Sequence, residues 1–146
     1  MSATNAFETA LLTLYFNNTD HANVGDAAGI QNSAAAGSFH VSLHTADPGE
    51  AGSQTTSEAT YTGYARVAVA RSGAGWTIAA ANASNAAAVT FGACTAGSNT
   101  ITYFGIGSDS SGAGNLFLYG ALTASLAVSA GITPSFAIGE LDVNLD

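Results

Sequence analysis

Phe39-His40-Val41-Ser42-Leu43-His44 alternates apolar and polar side chains with a period of two, the spacing at which successive Cβ atoms leave opposite faces of a strand. Read as a half-buried strand, it puts Phe39, Val41 and Leu43 on a dry face and His40, Ser42 and His44 on a wetter one. Asp47-Pro48-Gly49 ends the run with turn chemistry, and the polar stretch Glu50 to Gly63 follows. Extended patterns then recur at Tyr64 to Arg71, Gly75 to Ala79, Ala86 to Phe91, Thr100 to Ile106, Leu116 to Leu122, Ser135 to Ile138 and Glu140 to Leu145. Glycine-rich breaks such as Ser108 to Gly114 separate them. Many short strands with turns between them predict a mainly β chain, an antiparallel β-sandwich of Ig-like or jelly-roll type, with one short N-terminal helix. Pattern leaves the choice between those two topologies open.

The helix is predicted upstream, over Asn5 to Phe16. Asn5 is the N-cap candidate with Glu8 three positions on, and Phe7, Leu11, Leu14 and Tyr15 recur at helical spacing. Leu12 and Phe16 fall off that stripe, so the helix is apolar on more than one face. Phe7, Leu11, Leu12 and Phe16 are therefore candidates for contact with a second subunit as well as with the helix's own domain. Asn17 to Ser38 shows no sustained period and reads as a loop or arm, a length that calls for a role such as contact with a neighbour. The expected division is a helix and arm over residues 1–38 and a β-sandwich domain over 39–146.

Composition narrows the function. Hydrophobic residues make up 47% of the 146 and charged ones 8%, so charge-driven disorder is excluded and one core is expected. Ten carboxylates face two basic residues, Arg66 and Arg71, with no lysine, which argues against nucleic acid as a partner because phosphate contacts need clustered cations. A surface dominated by small neutral residues suits a subunit whose flanks are covered by neighbours. Cys94 is the single cysteine, which removes an intrachain disulfide framework. No basic residue precedes the first apolar stretch and no window approaches about 18 apolar residues, so neither a signal peptide nor a membrane span is expected, and synthesis in soluble form in the cytoplasm is.

The side chains that carry chemistry form no reactive constellation in the sequence. His40 and His44 have the spacing of a helical metal pair, but on a strand four residues span roughly 13 Å, too far for one ion. No G-x-S-x-G occurs, and Cys94 follows an apolar run with no base nearby, so it reads as a structural thiol. Asp47, Glu50, Glu58 and Asp109 lack the diagnostic spacing of a glycosidase pair. The glycines lack a phosphate-cradling signature, and Asp109-Ser110-Ser111-Gly112 lacks the further acids of a calcium loop. No catalytic residue, metal or cofactor is expected. Arg66 and Arg71 are rare cations among many acids, so each should find a partner, most simply in an ion pair fixing strand to loop and otherwise in a grip on a partner surface. Asp47 and Glu50, in the polar loop, join them as candidate assembly contacts.

His44-Thr45-Ala46-Asp47-Pro48-Gly49-Glu50-Ala51-Gly52, then Tyr61 to Arg66, Ser84 to Phe91, Ile101 to Ile106 and Gly120 to Thr123 follow one another in an order and spacing that resembles a family of small tailed-bacteriophage virion proteins commonly labelled phage tail fibre protein. The resemblance covers Phe39 to Asp146 and is less clear over Met1 to Ser38. It implies a non-enzymatic structural component, located in the virion at the tail fibre or baseplate or on the particle surface. Its expected partners are other virion proteins, tail or major capsid subunits, and further copies of itself, with a trimer favoured and with no nucleic acid and no membrane. The alternatives are a capsid decoration protein cementing the head shell, and a module binding host-surface carbohydrate through Tyr61, Tyr64 or Trp76.

Overall fold

The computed structural model describes residues 2–145. One helix, α1 (Asn5–Asn17), precedes nine strands among them: β1 (Ser38–His44), β2 (Val67–Ala70), β3 (Trp76–Ala79), β4 (Asn82–Asn85), β5 (Val89–Thr90), β6 (Ser98–Gly107), β7 (Leu116–Ser129), β8 (Ser135–Phe136) and β9 (Asp142–Asn144). They form three sheets, in the orders β2-β1-β6-β7, β3-β4-β9 and β5-β8. The mainly β class with one N-terminal helix is as the sequence predicts, and the antiparallel sheets are consistent with a β-sandwich-like fold. The chain divides into two compact units, one of Met1–Ser38, Ala70–Ala88 and Phe136–Asp146, the other of Phe39–Val69 and Val89–Ser135.

In the first unit, Thr4 rather than Asn5 caps α1, its hydroxyl accepting from the Phe7 amide at 3.4 Å. Asn18 closes the helix in the left-handed conformation, φ 52°, a backbone state that asparagine tolerates. The face that packs inward is Glu8, Leu12 and Phe16, one i, i+4 row, and the predicted stripe through Phe7 and Leu11 points elsewhere. Phe16 carries that packing, with its ring 4.7 Å from Trp76. β3 and β4 form a tight hairpin in which Ala79 pairs with Asn82 and Ala80 takes a positive φ of 53°. The Thr9 hydroxyl of α1 donates to the Ala80 carbonyl at 3.0 Å, holding that turn against the helix.

β4 is a strand that its sequence does not announce. Asn82-Ala83-Ser84-Asn85 has little strand propensity, yet it pairs with β3 on one side and β9 on the other. Asn85 explains the placement. It is buried, its amide donates to Ala87 O at 2.8 Å and Ala137 O at 2.7 Å, and its Oδ1 accepts from the Leu141 amide at 2.9 Å. A buried amide satisfied in this way replaces the apolar side chain a central strand normally supplies.

In the second unit, β1 lies between β2 and β6, and the expected wet face is absent. Ser42 and His44 are as buried as Val41 and Leu43. The reason is the loop after β1: it folds back, and Thr56 O accepts from His44 Nδ1 at 2.8 Å while Ser42 Oγ meets His44 Nε2 at 2.8 Å. Gly105 of β6 makes the room, since a Cβ there would lie 2.7 Å from both His44 Nε2 and Ser42 Oγ. The expected strand over Tyr64 to Arg71 shortens to Val67–Ala70, because Tyr64 and Arg66 are drawn into side-chain bonds with the same loop. β6 and β7 extend beyond their expected limits and pair antiparallel, with an irregularity where the register passes from Ile101 opposite Leu126 to Tyr103 opposite Ala121.

Candidate functional site

Arg66 organises the polar network of the second unit. Its Nε donates to Glu58 Oε1 at 2.6 Å and its Nη2 to Glu58 Oε2 at 2.7 Å, a two-pronged grip on one carboxylate. The remaining donors reach the turn between β6 and β7, Nη1 to Asp109 O at 2.9 Å and Nη2 to Gly112 O at 2.7 Å. Tyr64 adds a further link: its hydroxyl donates to Glu58 Oε1 at 2.9 Å and accepts from the Leu43 amide at 3.1 Å. Burial pushes the Tyr64 phenol well above its ordinary ionisation range, so it stays a donor, and the bond to Glu58 holds Arg66 charged.

Gln54 grips the same turn from the loop side. Fully buried, it accepts from the Asp109 amide at 2.9 Å and donates to Asp109 O at 3.2 Å, pairing with that peptide as a strand neighbour would. Gly107 and Gly114 leave space for it, since a Cβ at either would collide with the Gln54 side chain. A cleft of about 280 Å³ opens beside this network, lined by Glu58, Tyr64, Arg66 and Ser110 among others, but its charged groups, Glu58 and Arg66, are already bonded to each other.

Arg71 acts in the first unit on the end of α1. It donates to Tyr15 O at 2.7 Å and Leu14 O at 3.1 Å, the last-turn carbonyls that lack helical donors, and to Ala36 O at 3.1 Å and Ser33 Oγ at 3.2 Å in the arm. One side chain thus caps the helix and fastens the arm to it. The arm is further tied by Asn18, whose Oδ1 accepts from the Ser33 amide at 3.0 Å, and by paired backbone bonds between His21 and Ile30.

The structure distributes the remaining candidate contacts unevenly. Leu12 and Phe16 are buried within the first unit, Leu11 is half-buried and Phe7 is 49% exposed. Asp47 and Glu50 are exposed at the loop tip, where Asp47 Oδ1 accepts from the Gly49 amide at 2.8 Å and so shapes the turn. Arg66 is buried and committed within the chain, and Arg71 is half-buried against the helix end. The two imidazoles of β1 address different carbonyls, His40 that of Ser108 at 3.1 Å and His44 that of Thr56.

Ser42 and His44 have the spacing of a nucleophile and its base, with a carbonyl orienting the imidazole, but both side chains are sealed beneath Gly105. Cys94 is buried. Tyr61 and Trp76 are buried and Tyr64 is half-buried, so none presents the open ring face that stacking on a sugar needs. Among the described residues no helix is long and apolar enough to cross a membrane. Sequence reasoning foresaw a carboxylate partner for Arg66 without finding Glu58, and it missed Gln54, whose pairing with the Asp109 peptide leaves no local pattern.

A protein-family model described as podophage GP4 fiber I protein gp80 matches residues 2–144, so the likeness extends through the helix and arm as well as the β strands. No curated protein matches the chain.

Proposed function

The chain belongs to this family of podophage fibre proteins and is a non-enzymatic structural component of a tailed-bacteriophage virion, and we propose that residues 1–38 seat it on a neighbouring tail protein while residues 39–146 form the body of the module. The observation that carries this reading is the apolar surface of the first 38 residues. Phe7 on α1 and Val24 and Ile30 in the arm are each more than two-fifths exposed, three of the seven large apolar side chains exposed among the described residues, the other four being Phe117, Tyr119, Ile132 and Ile138. Exposed apolar side chains grouped on one helix-and-arm segment are the usual mark of a protein contact. Arg71 prepares that surface by fixing arm to helix, which reduces the ordering cost of binding.

The test is complementation of a phage lacking the protein with plasmid-borne Phe7→Ser or Ile30→Ser. Both changes lie at exposed positions, so the purified variants should unfold at the wild-type midpoint while incorporation into particles, read by immunoblot, falls at least tenfold. Wild-type incorporation of both variants would refute the attachment role of the segment.

A further inference from the structure

Tyr103 and Tyr119 stand on one face of the β6–β7 pair. Tyr119 pairs with Gly105 and Tyr103 with Ala121 in the regular part of the register, so the two tyrosines are diagonal neighbours, within reach of each other for aromatic side chains. Gly105 and Ala121 carry no side chain beyond Cβ, so neither covers the tyrosine it pairs with. β1 continues this face with Ser42 and His44, but the loop after β1 returns over those two and leaves the tyrosine side open. Ser42 and His44 are fully buried, whereas Tyr103 is half-buried and Tyr119 is 36% exposed. The tip of the same loop carries Asp47 and Glu50, both exposed. Burial, then the carboxylates of Asp47 and Glu50 and the Tyr103 phenol, raise the Tyr119 phenol above its ordinary range, which puts both acids in the neighbourhood of that ring.

We propose that Tyr103, Tyr119, Asp47 and Glu50 form a docking site for a lysine or arginine side chain presented by a different protein. Charge selects the occupant. A cation over a tyrosine ring is attracted by the ring face, and a carboxylate beside it adds a charge-assisted bond. Both acids are available for this, since neither has an ion-pair partner among the described residues. Asp47 spends one oxygen on the Gly49 amide, and Glu50 accepts no hydrogen bond from a described residue. Glu50 differs in this from Asp20, Asp26, Asp109, Glu140 and Asp142, exposed carboxylates that each accept a hydrogen bond within the chain. A second copy cannot supply the cation: the chain has no lysine, Arg66 is buried on Glu58, and Arg71 is bonded to the last carbonyls of α1. The partner is therefore a basic segment of another protein, and in the particle that is a neighbouring virion protein. The site lies wholly in the second unit and is independent of the attachment through residues 1–38.

Titration of the isotope-labelled chain with a blocked tetra-arginine peptide at low salt, followed through amide shifts, tests this. The expected result is saturable binding with the largest shifts at residues 47–50, 103 and 119. Tyr119→Ser, which leaves the net charge as it is, should weaken binding about fivefold, the worth of a cation on an exposed ring. Asp47→Asn combined with Glu50→Gln should weaken it by at least as much, while Asp20→Asn combined with Asp26→Asn, which removes the same charge elsewhere, should leave it unaltered. Circular dichroism verifies that each variant is folded, and Asp47→Asn keeps an acceptor for the Gly49 amide. An absence of saturable binding, shifts spread over the acidic surface, an affinity that follows net charge alone, or binding indifferent to Tyr119→Ser would overturn the proposal. None of these outcomes bears on the family membership or on the attachment role of the N-terminal segment, which Phe7→Ser and Ile30→Ser test separately.

Discussion

Glu58 holds Arg66 through both carboxylate oxygens, at 2.6 and 2.7 Å, in a pair whose arginine side chain is only 2% exposed. A buried pair of this kind does not need to stabilise the fold relative to an apolar substitute, but removing one partner strands the other. Arg66→Ala leaves Glu58 without its cation and frees the carbonyls of Asp109 and Gly112. It should lower the unfolding free energy by about 3–5 kcal/mol, measured by urea denaturation. Glu58→Gln should cost less, because a neutral amide still accepts from the guanidinium.

His44 makes stability depend on pH in a definite direction. Burial holds the imidazole below its ordinary value of 6.5, with the bond to Thr56 O opposing only in part. Below about pH 6.5 the unfolded chain takes up a proton that the folded chain resists. Stability should therefore be full above pH 6.5 and fall as pH drops through the window down to the lowered folded value, with a slope of at most about 1.4 kcal/mol per unit for this group. Urea midpoints between pH 7.5 and 5 measure the slope, and His44→Gln should flatten it.

Gly105→Ala places a methyl group 2.7 Å from His44 Nε2, Ser42 Oγ and Leu116 Cδ1, and the first two belong to fully buried side chains bonded to each other. Overpacking there should destabilise by about 1–3 kcal/mol, or more if the Ser42–His44 bond breaks. Thermal unfolding of the variant compared with Gly73→Ala, where a Cβ meets nothing within 4 Å, separates crowding from a general loss of glycine.

Arg71→Ala removes four donor contacts at the end of α1 and in the arm. The expected loss is about 1–2 kcal/mol, with amide exchange rising in the last turn of α1 and across residues 33–37 before it rises elsewhere. Uniform exchange across the chain would show that the arginine is not a local fastening.

The periodic parts of the fold were legible in the sequence and the compensated parts were not. Alternation located β1 and the β6–β7 pair, and helical spacing located α1 to within a residue of each end. The same patterns misjudged which faces are covered, because burial of Ser42 and His44 depends on a loop returning from more than ten residues away. β4 was invisible for a related reason: Asn85 takes a core position by satisfying its amide with Ala87, Ala137 and Leu141, and two of these three partners lie far along the chain. Of the candidate contacts, the exposure of Asp47 was readable from type and context, whereas Phe7, on the apolar stripe that the spacing singled out, is exposed and the off-stripe Leu12 and Phe16 are buried. The engagement of Arg66 was foreseen in kind, whereas Arg71 found helix-end carbonyls whose position only the folded chain reveals.

Gold-labelled antibody against the protein, applied to purified particles and viewed by electron microscopy, tests the assignment to the fibre most directly. Membership of the podophage fibre family predicts gold at the tail, at its fibres or their base, and label distributed in many copies over the head would contradict it.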